Sequence, residues 1–137
     1  MAMVWLITGA SSGLGDGIAR AVLDRGDFAA VTSRDTNRLK SLAGQYPNQV
    51  FPVSLDLDSP ASIQQAVQSV QERFGKVDVL VNNAGYGYRA AIEESEPEAV
   101  RELFSANFFG PMELTRQLLP QMRERHSGLI ISVSSIG

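Results

Sequence analysis

No cysteine occurs in the chain, which excludes both a disulfide framework and a thiolate metal site. Its single histidine, His126, cannot build a histidine cluster, so no metal is expected. No stretch approaches the roughly 18 consecutive apolar residues that a membrane-spanning helix needs. Nor does a basic segment with a long apolar run precede the strand-like residues at Val4, and the reading is of a cytoplasmic protein without a membrane partner. Positive charge is scarce as well. Twelve Lys and Arg against 15 Asp and Glu leave a net charge of -3, with no Lys/Arg run. Nothing therefore draws nucleic acid from a distance, and any anion site has to be local.

What remains is an ordinary soluble composition, with 44% hydrophobic and 20% charged residues. A length of 137 residues suits one domain spanning 1–137 and leaves no room for a separate substrate domain. Strand-length apolar runs alternate with segments of helical period, the pattern of βαβ units and a parallel sheet. The runs are Val4 to Ile7, Phe28 to Thr32, Val50 to Leu55, Val77 to Val81 and Leu129 to Val133. Pro52 marks the third as an edge strand.

Between the runs, Leu14, Ile18, Ala21 and Val22 mark one helix closed by Gly26, and Thr36 to Ala43 a short one ending at Gly44. Pro60 opens a third helix with an apolar face at Ile63, Val67, Val70 and Phe74, stopped by Gly75. Glu96 to Arg125 reads as a long helical region that Gly110-Pro111 and Pro120 should kink or break, with His126 a favourable residue at its C-terminal end. Right-handed crossovers then predict a Rossmann-type α/β fold, helices on both faces, strand order 3-2-1-4-5. The ligand crevice would lie at the switch between the first and fourth strands. The stretch Tyr86-Gly87-Tyr88-Arg89 is a candidate mobile binding loop.

After the first strand comes Thr8-Gly9-Ala10-Ser11-Ser12-Gly13-Leu14-Gly15. Gly9 permits the tight turn, Gly13 lets backbone approach a pyrophosphate, and Gly15 lets the helix pack against the strand. The helix start offers unpaired N–H groups and a positive dipole end to phosphates. Such a turn also exists without a ligand, but here a strand precedes it and a helix follows. With Asn82-Asn83-Ala84-Gly85 after the fourth strand, the chain from Met3 to its last residue resembles the short-chain dehydrogenase/reductase family.

The resemblance implies hydride transfer between a nicotinamide cofactor and a small-molecule carbonyl/alcohol substrate. It places Gly9, Ser11, Ser12, Gly13, Leu14 and Gly15 along the diphosphate and adjoining ribose, and Asn83, Ala84 and Gly85 beside the adenosine-side ribose. Asp56 and Leu57 would cap adenine; Asp56 reads equally as a helix N-terminal carboxylate ahead of Ser59-Pro60. A phospho-acceptor use of Asp56 would need a carboxylate pair just after the first strand, where Thr8 to Ser12 stand instead.

At the end of the second strand, Ser33-Arg34 replaces the carboxylate that would favour NAD, and a guanidinium pairs bidentately with a 2′-phosphate, which favours NADP. Arg34 paired with Asp35 as a solvated loop cation is the alternative. At Ser12, some NADP-preferring relatives carry a second basic residue.

Asn107 matches the family's relay Asn, which holds a water, and Ser135 the Ser that hydrogen-bonds the substrate oxygen. Stabilisation of a helix irregularity and a strand-end turn are their respective alternatives. The family also expects a Tyr with Lys four residues on, beyond Ser135. Gly137 comes first, and none of Tyr46, Tyr86 and Tyr88 has a Lys at that spacing. The expectation is an NADP(H)-binding portion with an incomplete catalytic site, leaving turnover by this chain open. Its fifth strand and one face of the preceding helix should be exposed. A non-catalytic module that buries this edge in a homo-oligomer is the alternative.

Overall fold

The computed structural model describes residues 2–134, so Ser135 lies outside the described residues. Five parallel strands form one sheet: β1 (Val4–Ile7), β2 (Phe28–Ser33), β3 (Val50–Ser54), β4 (Val79–Asn82) and β5 (Leu129–Ser132). Their order is β3-β2-β1-β4-β5, as the alternation of patterns predicts. Ile7, the last residue of β1, pairs with Val31 on one side and Val81 on the other, and β2 runs on to Ser33 and β4 to Asn82. The chain leaves β1 on the β2 side and returns through β4, which opens a crevice at the ends of β1 and β4. Pro52 sits in the edge strand β3, where a missing N–H is tolerated.

The pleat sends alternate residues to two apolar layers. Trp5 and Ile7 pack with Ala19, Val22 and Leu23 of α1 (Gly13–Asp24) and Leu42 of α2 (Lys40–Gln45). Leu6 and Leu80 face the opposite layer, where Ile63, Val67 and Val70 of α3 (Pro60–Phe74) meet Leu114 and Leu118. Those last two belong to α5 (Gly110–Arg125), which follows α4 (Pro97–Phe104). The helices thus cover both faces.

Three helical expectations are corrected. The buried stripe of α1 is Gly15, Ala19, Val22 and Leu23, one position on from the expected one, and Leu14 is 60% exposed. Thr36–Leu39 is a 3-10 turn, and α2 continues through Gly44 to Gln45. The long helical region is interrupted not at Pro120, which α5 absorbs, but by a π-helical stretch at Ser105–Phe109, just ahead of Gly110-Pro111. Strand boundaries shift slightly too, with β4 starting at Val79 and β5 ending at Ser132. His126 ends α5 in the left-handed region, φ 53°.

Two carboxylates anchor the opposite end of β1. Asp27 accepts from the Met3 N–H and Trp5 Nε1, and Asp78 from the Val4 N–H, Lys76 and Arg125. Leu129 is 53% exposed on the edge strand β5, and Phe108, Phe109 and Met112 are half-exposed on the preceding helical region. Among the described residues, no helix is long and apolar enough to cross a membrane.

Candidate functional site

The crevice holds a cavity of about 500 Å³. Gly9, Ser11 and Ser12 line it from the first turn, and Thr32, Ser33, Arg34 and Arg38 from the end of β2 and the 3-10 turn. The loop Leu55–Asp58, the segment Asn83–Tyr86, and Glu102 and Ala106 complete the wall.

Backbone geometry builds the turn. Gly9 and Gly13 adopt φ 69° and 60°, the left-handed region that side chains resist. Gly15 is required by contact instead: a Cβ there would collide with the Gly9 carbonyl oxygen and stand 2.5 Å from Asn83 Nδ2. The turn is pinned on both sides, by Ala10 N–H to the Thr32 carbonyl at 3.2 Å and Thr8 N–H to the Val81 carbonyl at 3.1 Å. Ser12 precedes α1 in an extended conformation and its side chain makes no cap. The N–H groups that start α1 therefore have no side-chain acceptor among the described residues, which leaves the dipole end open to an anion.

The Asn-Asn-Ala-Gly segment is held against this turn. Asn83 donates through Nδ2 to the Gly9 carbonyl at 3.2 Å. Thr8, buried at the end of β1, accepts through Oγ1 from the N–H groups of Asn83 and Ala84. Asn82 donates to Thr115 Oγ1, while its buried Oδ1 has no partner among the described residues.

Arg34 is exposed and makes no salt bridge to Asp35 among the described residues; Asp35 caps the 3-10 turn by accepting from the Asn37 N–H. Arg38 lies on that turn, held in place by the fully buried Leu39 that follows it. Both guanidinium-bearing residues line the cavity, whereas Arg20, Arg116 and Arg125 are engaged by carboxylates. Asp56 lines the cavity while its Oδ1 accepts from the Asp58 N–H within the loop; the helix that follows is capped by Ser59, which accepts from the Ser62 N–H.

Asn107 sits in the π-helical stretch and does not line the cavity. Its side chain grips the adjoining loop, accepting from the Tyr86 N–H at 3.0 Å and donating to the Tyr86 carbonyl at 2.6 Å. Pro111 has no N–H to offer the Asn107 carbonyl in the helical ladder. Gly13, Leu14 and Gly15 shape the helix start beside the cavity without lining it.

A family model for the short chain dehydrogenases matches residues 3–137. The chain belongs to the short-chain dehydrogenase family. A crystal structure of a family member from Streptomyces avermitilis is 47% identical, with a TM-score of 0.95, covering 98% of this chain and 49% of that one. L-Sorbose reductase from Gluconobacter frateurii, complexed with NADPH and L-sorbose, is 34% identical with a TM-score of 0.91, covering 98% and 53%. A 3-ketoacyl-(acyl-carrier-protein) reductase from Brucella melitensis, complexed with NADH, is 33% identical with a TM-score of 0.91, covering 97% and 57%. The chain spans about half the length of the curated relatives it matches.

Several cavity residues escaped the reading from sequence: Arg38, Thr32, Leu55, Asp58, Glu102 and Ala106, whereas Tyr86 comes from the stretch read as a binding loop. Arg38 carried a usable signal, since it stands four residues after Arg34 in a short turn. The others depend on how distant segments meet.

Proposed function

We propose that these residues form a dinucleotide-binding domain of a short-chain oxidoreductase, taking NADP(H) in preference to NAD(H), whose reaction interconverts a carbonyl and an alcohol. One observation carries the reading: a single cavity gathers the Gly9–Ser12 turn, Arg34 and Arg38, Asp56-Leu57 and Asn83–Gly85. The fit rests on the protein's own geometry. Side chains are excluded where backbone must come close to a diphosphate, Ser12 makes no side-chain cap on α1, and two arginines that form no salt bridge among the described residues stand at the β2 end.

In this reading Ser11, Ser12 and the first N–H groups of α1 bind the diphosphate, with Gly13, Leu14 and Gly15 setting the approach of the helix. Arg34 and Arg38 hold the 2′-phosphate, Asp56 and Leu57 receive adenine, and Asn83, Ala84 and Gly85 border the ribose. A bound nicotinamide supplies or accepts the hydride. Asn107 would hold a relay water and Ser135 the substrate oxygen. No Tyr-x-x-x-Lys pair lies within these residues, so binding, not turnover, is assigned to them. Solved relatives carrying NADPH and NADH support dinucleotide binding, and the cations at the β2 end favour the phosphorylated form.

Titration with NADPH and NADH, followed by nicotinamide fluorescence and thermal shift, tests this. Tighter NADPH binding is the expected result; no binding of either by folded protein overturns it. A second reading, a non-catalytic module that assembles with its own copies, is favoured by the exposed edge strand β5 and the half-exposed Phe108 and Phe109. Light scattering that finds only monomer at high concentration overturns that reading.

A further inference from the structure

We infer that Gly110 sets the width of the cleft between the Leu55–Asp58 loop and the α4–π wall, and thereby governs capture of the adenine ring. This rests on the dinucleotide reading above. Gly110 is buried, with right-handed helical backbone angles of φ −63° and ψ −53°. No special conformation calls for glycine there, and helix propensity alone favours alanine. Contact is what excludes a side chain. A Cβ on Gly110 would collide with the Leu57 carbonyl oxygen, stand 2.7 Å from Leu57 Cβ and 2.8 Å from the Ser105 carbonyl oxygen. These obstacles are backbone atoms or directly attached to it, so no rotamer change relieves them. Ordinary contact begins at 3.4 Å, and reaching it would move the start of α5 away from the loop.

That displacement acts on the cavity. Leu57 lines it from one side, while Ala106 and Glu102, four and eight residues before Gly110, line it from the other. The Gly110 contact on Leu57 therefore closes the end of the cleft at which the loop and the helical wall meet. Leu57 and Ala106 are half-buried apolar residues, with the carboxylates Asp56 and Glu102 beside them. A flat ring with apolar faces and an exocyclic amine matches that chemistry, and the fit depends on how closely the walls approach. Gly110 is a positioning residue: it touches Leu57, not the ligand.

The test compares ADP-ribose, NMNH, NADPH and NADH binding by the 137-residue protein and by two variants. Gly110→Ala widens the cleft, and Ala106→Leu fills it from the opposite wall at a position outside the two core layers. Both should weaken ADP-ribose by about tenfold or more, since a strained or filled contact commonly costs that much. NADPH and NADH should weaken in equal proportion, unlike the effect of changing Arg34, and NMNH should be unaffected. Gly44→Ala, a helical glycine with open space around it, is the control. Wild-type-like ADP-ribose affinity in the folded variants overturns the inference and leaves the dinucleotide reading standing. Equal weakening of NMNH and ADP-ribose also overturns it, by making the effect a general loss of structure. Should Gly110→Ala fail to fold, Ala106→Leu decides. Absence of ADP-ribose, NADPH and NADH binding by folded wild-type protein overturns the dinucleotide reading and this inference together.

Discussion

The Thr8 hydroxyl accepts a hydrogen bond from the backbone N–H of Ala84 at 3.0 Å, across 76 residues of sequence. The same oxygen accepts from the Asn83 N–H at 3.0 Å and lies 3.3 Å from the Val81 carbonyl, to which it donates. One side chain thus joins the glycine turn after β1 to the Asn-Asn-Ala-Gly segment after β4. Thr8→Val keeps the shape but strands two backbone donors, and should cost about 2 kcal/mol. Thr8→Ser should keep most of the stability. Urea unfolding midpoints check both, and NADPH affinity should fall in the valine variant only.

Arg34→Asp should lower NADPH affinity by roughly 10- to 100-fold while leaving NADH affinity unchanged or higher, because a carboxylate repels a 2′-phosphate and accepts from a ribose hydroxyl. Arg38→Ala should act in the same direction with a smaller effect, since Arg34 remains. Parallel titrations at low and high salt check this, with the NADPH preference shrinking as salt rises. Equal loss of both cofactors would remove Arg34 from the discrimination.

Periodicity exposed the strand order because β1 and β4 are covered on both faces and read as unbroken apolar runs. It misplaced the stripe of α1 because that contact is made with small residues, Gly15 and Ala19, which give a weak apolar signal. Leu14, the strongest apolar residue in that turn, stands exposed beside the cavity instead. The break before α5 was legible in Gly110-Pro111, but the grip of Asn107 on Tyr86 depends on a loop more than twenty residues away. The anchoring by Asp27 and Asp78 was not legible, for their partners on β1 are remote in sequence.

Asp78 should contribute to the acid limb of the fold's stability. Burial pushes its carboxyl upward, yet the Val4 N–H, Arg125 and Lys76 together outweigh burial and hold it below the ordinary carboxylate value. A carboxylate lowered on folding contributes stability above its unfolded pKa, about 3.9, and loses it as pH falls through the lower folded value. Asp78→Asn should therefore destabilise the protein at pH 7, by about 2 kcal/mol for a hydrogen-bonded carboxylate that is mostly buried, and flatten the acid limb of the stability curve. Thermal melts between pH 2 and 7 check the sign. An unchanged acid limb in the variant would shift the role to other carboxylates.

Two glycines two residues apart in α1 should respond oppositely to the same methyl group. Gly17 is exposed with nothing near the position of a Cβ, so Gly17→Ala should stabilise by about 0.5 to 1 kcal/mol through helix propensity and the unfolded chain's lost freedom. Gly15→Ala places its methyl against the Gly9 carbonyl and Asn83 Nδ2, the contact that joins the helix start, the turn and the β4 segment. Helix propensity favours that substitution equally, so any net loss measures the strain of moving α1 off the turn. We expect destabilisation of about 1 to 3 kcal/mol, typical of overpacking, together with loss of NADPH binding. If Gly15→Ala melts like Gly17→Ala and still binds NADPH, the close approach of α1 to the turn is not what shapes the phosphate end of the cavity.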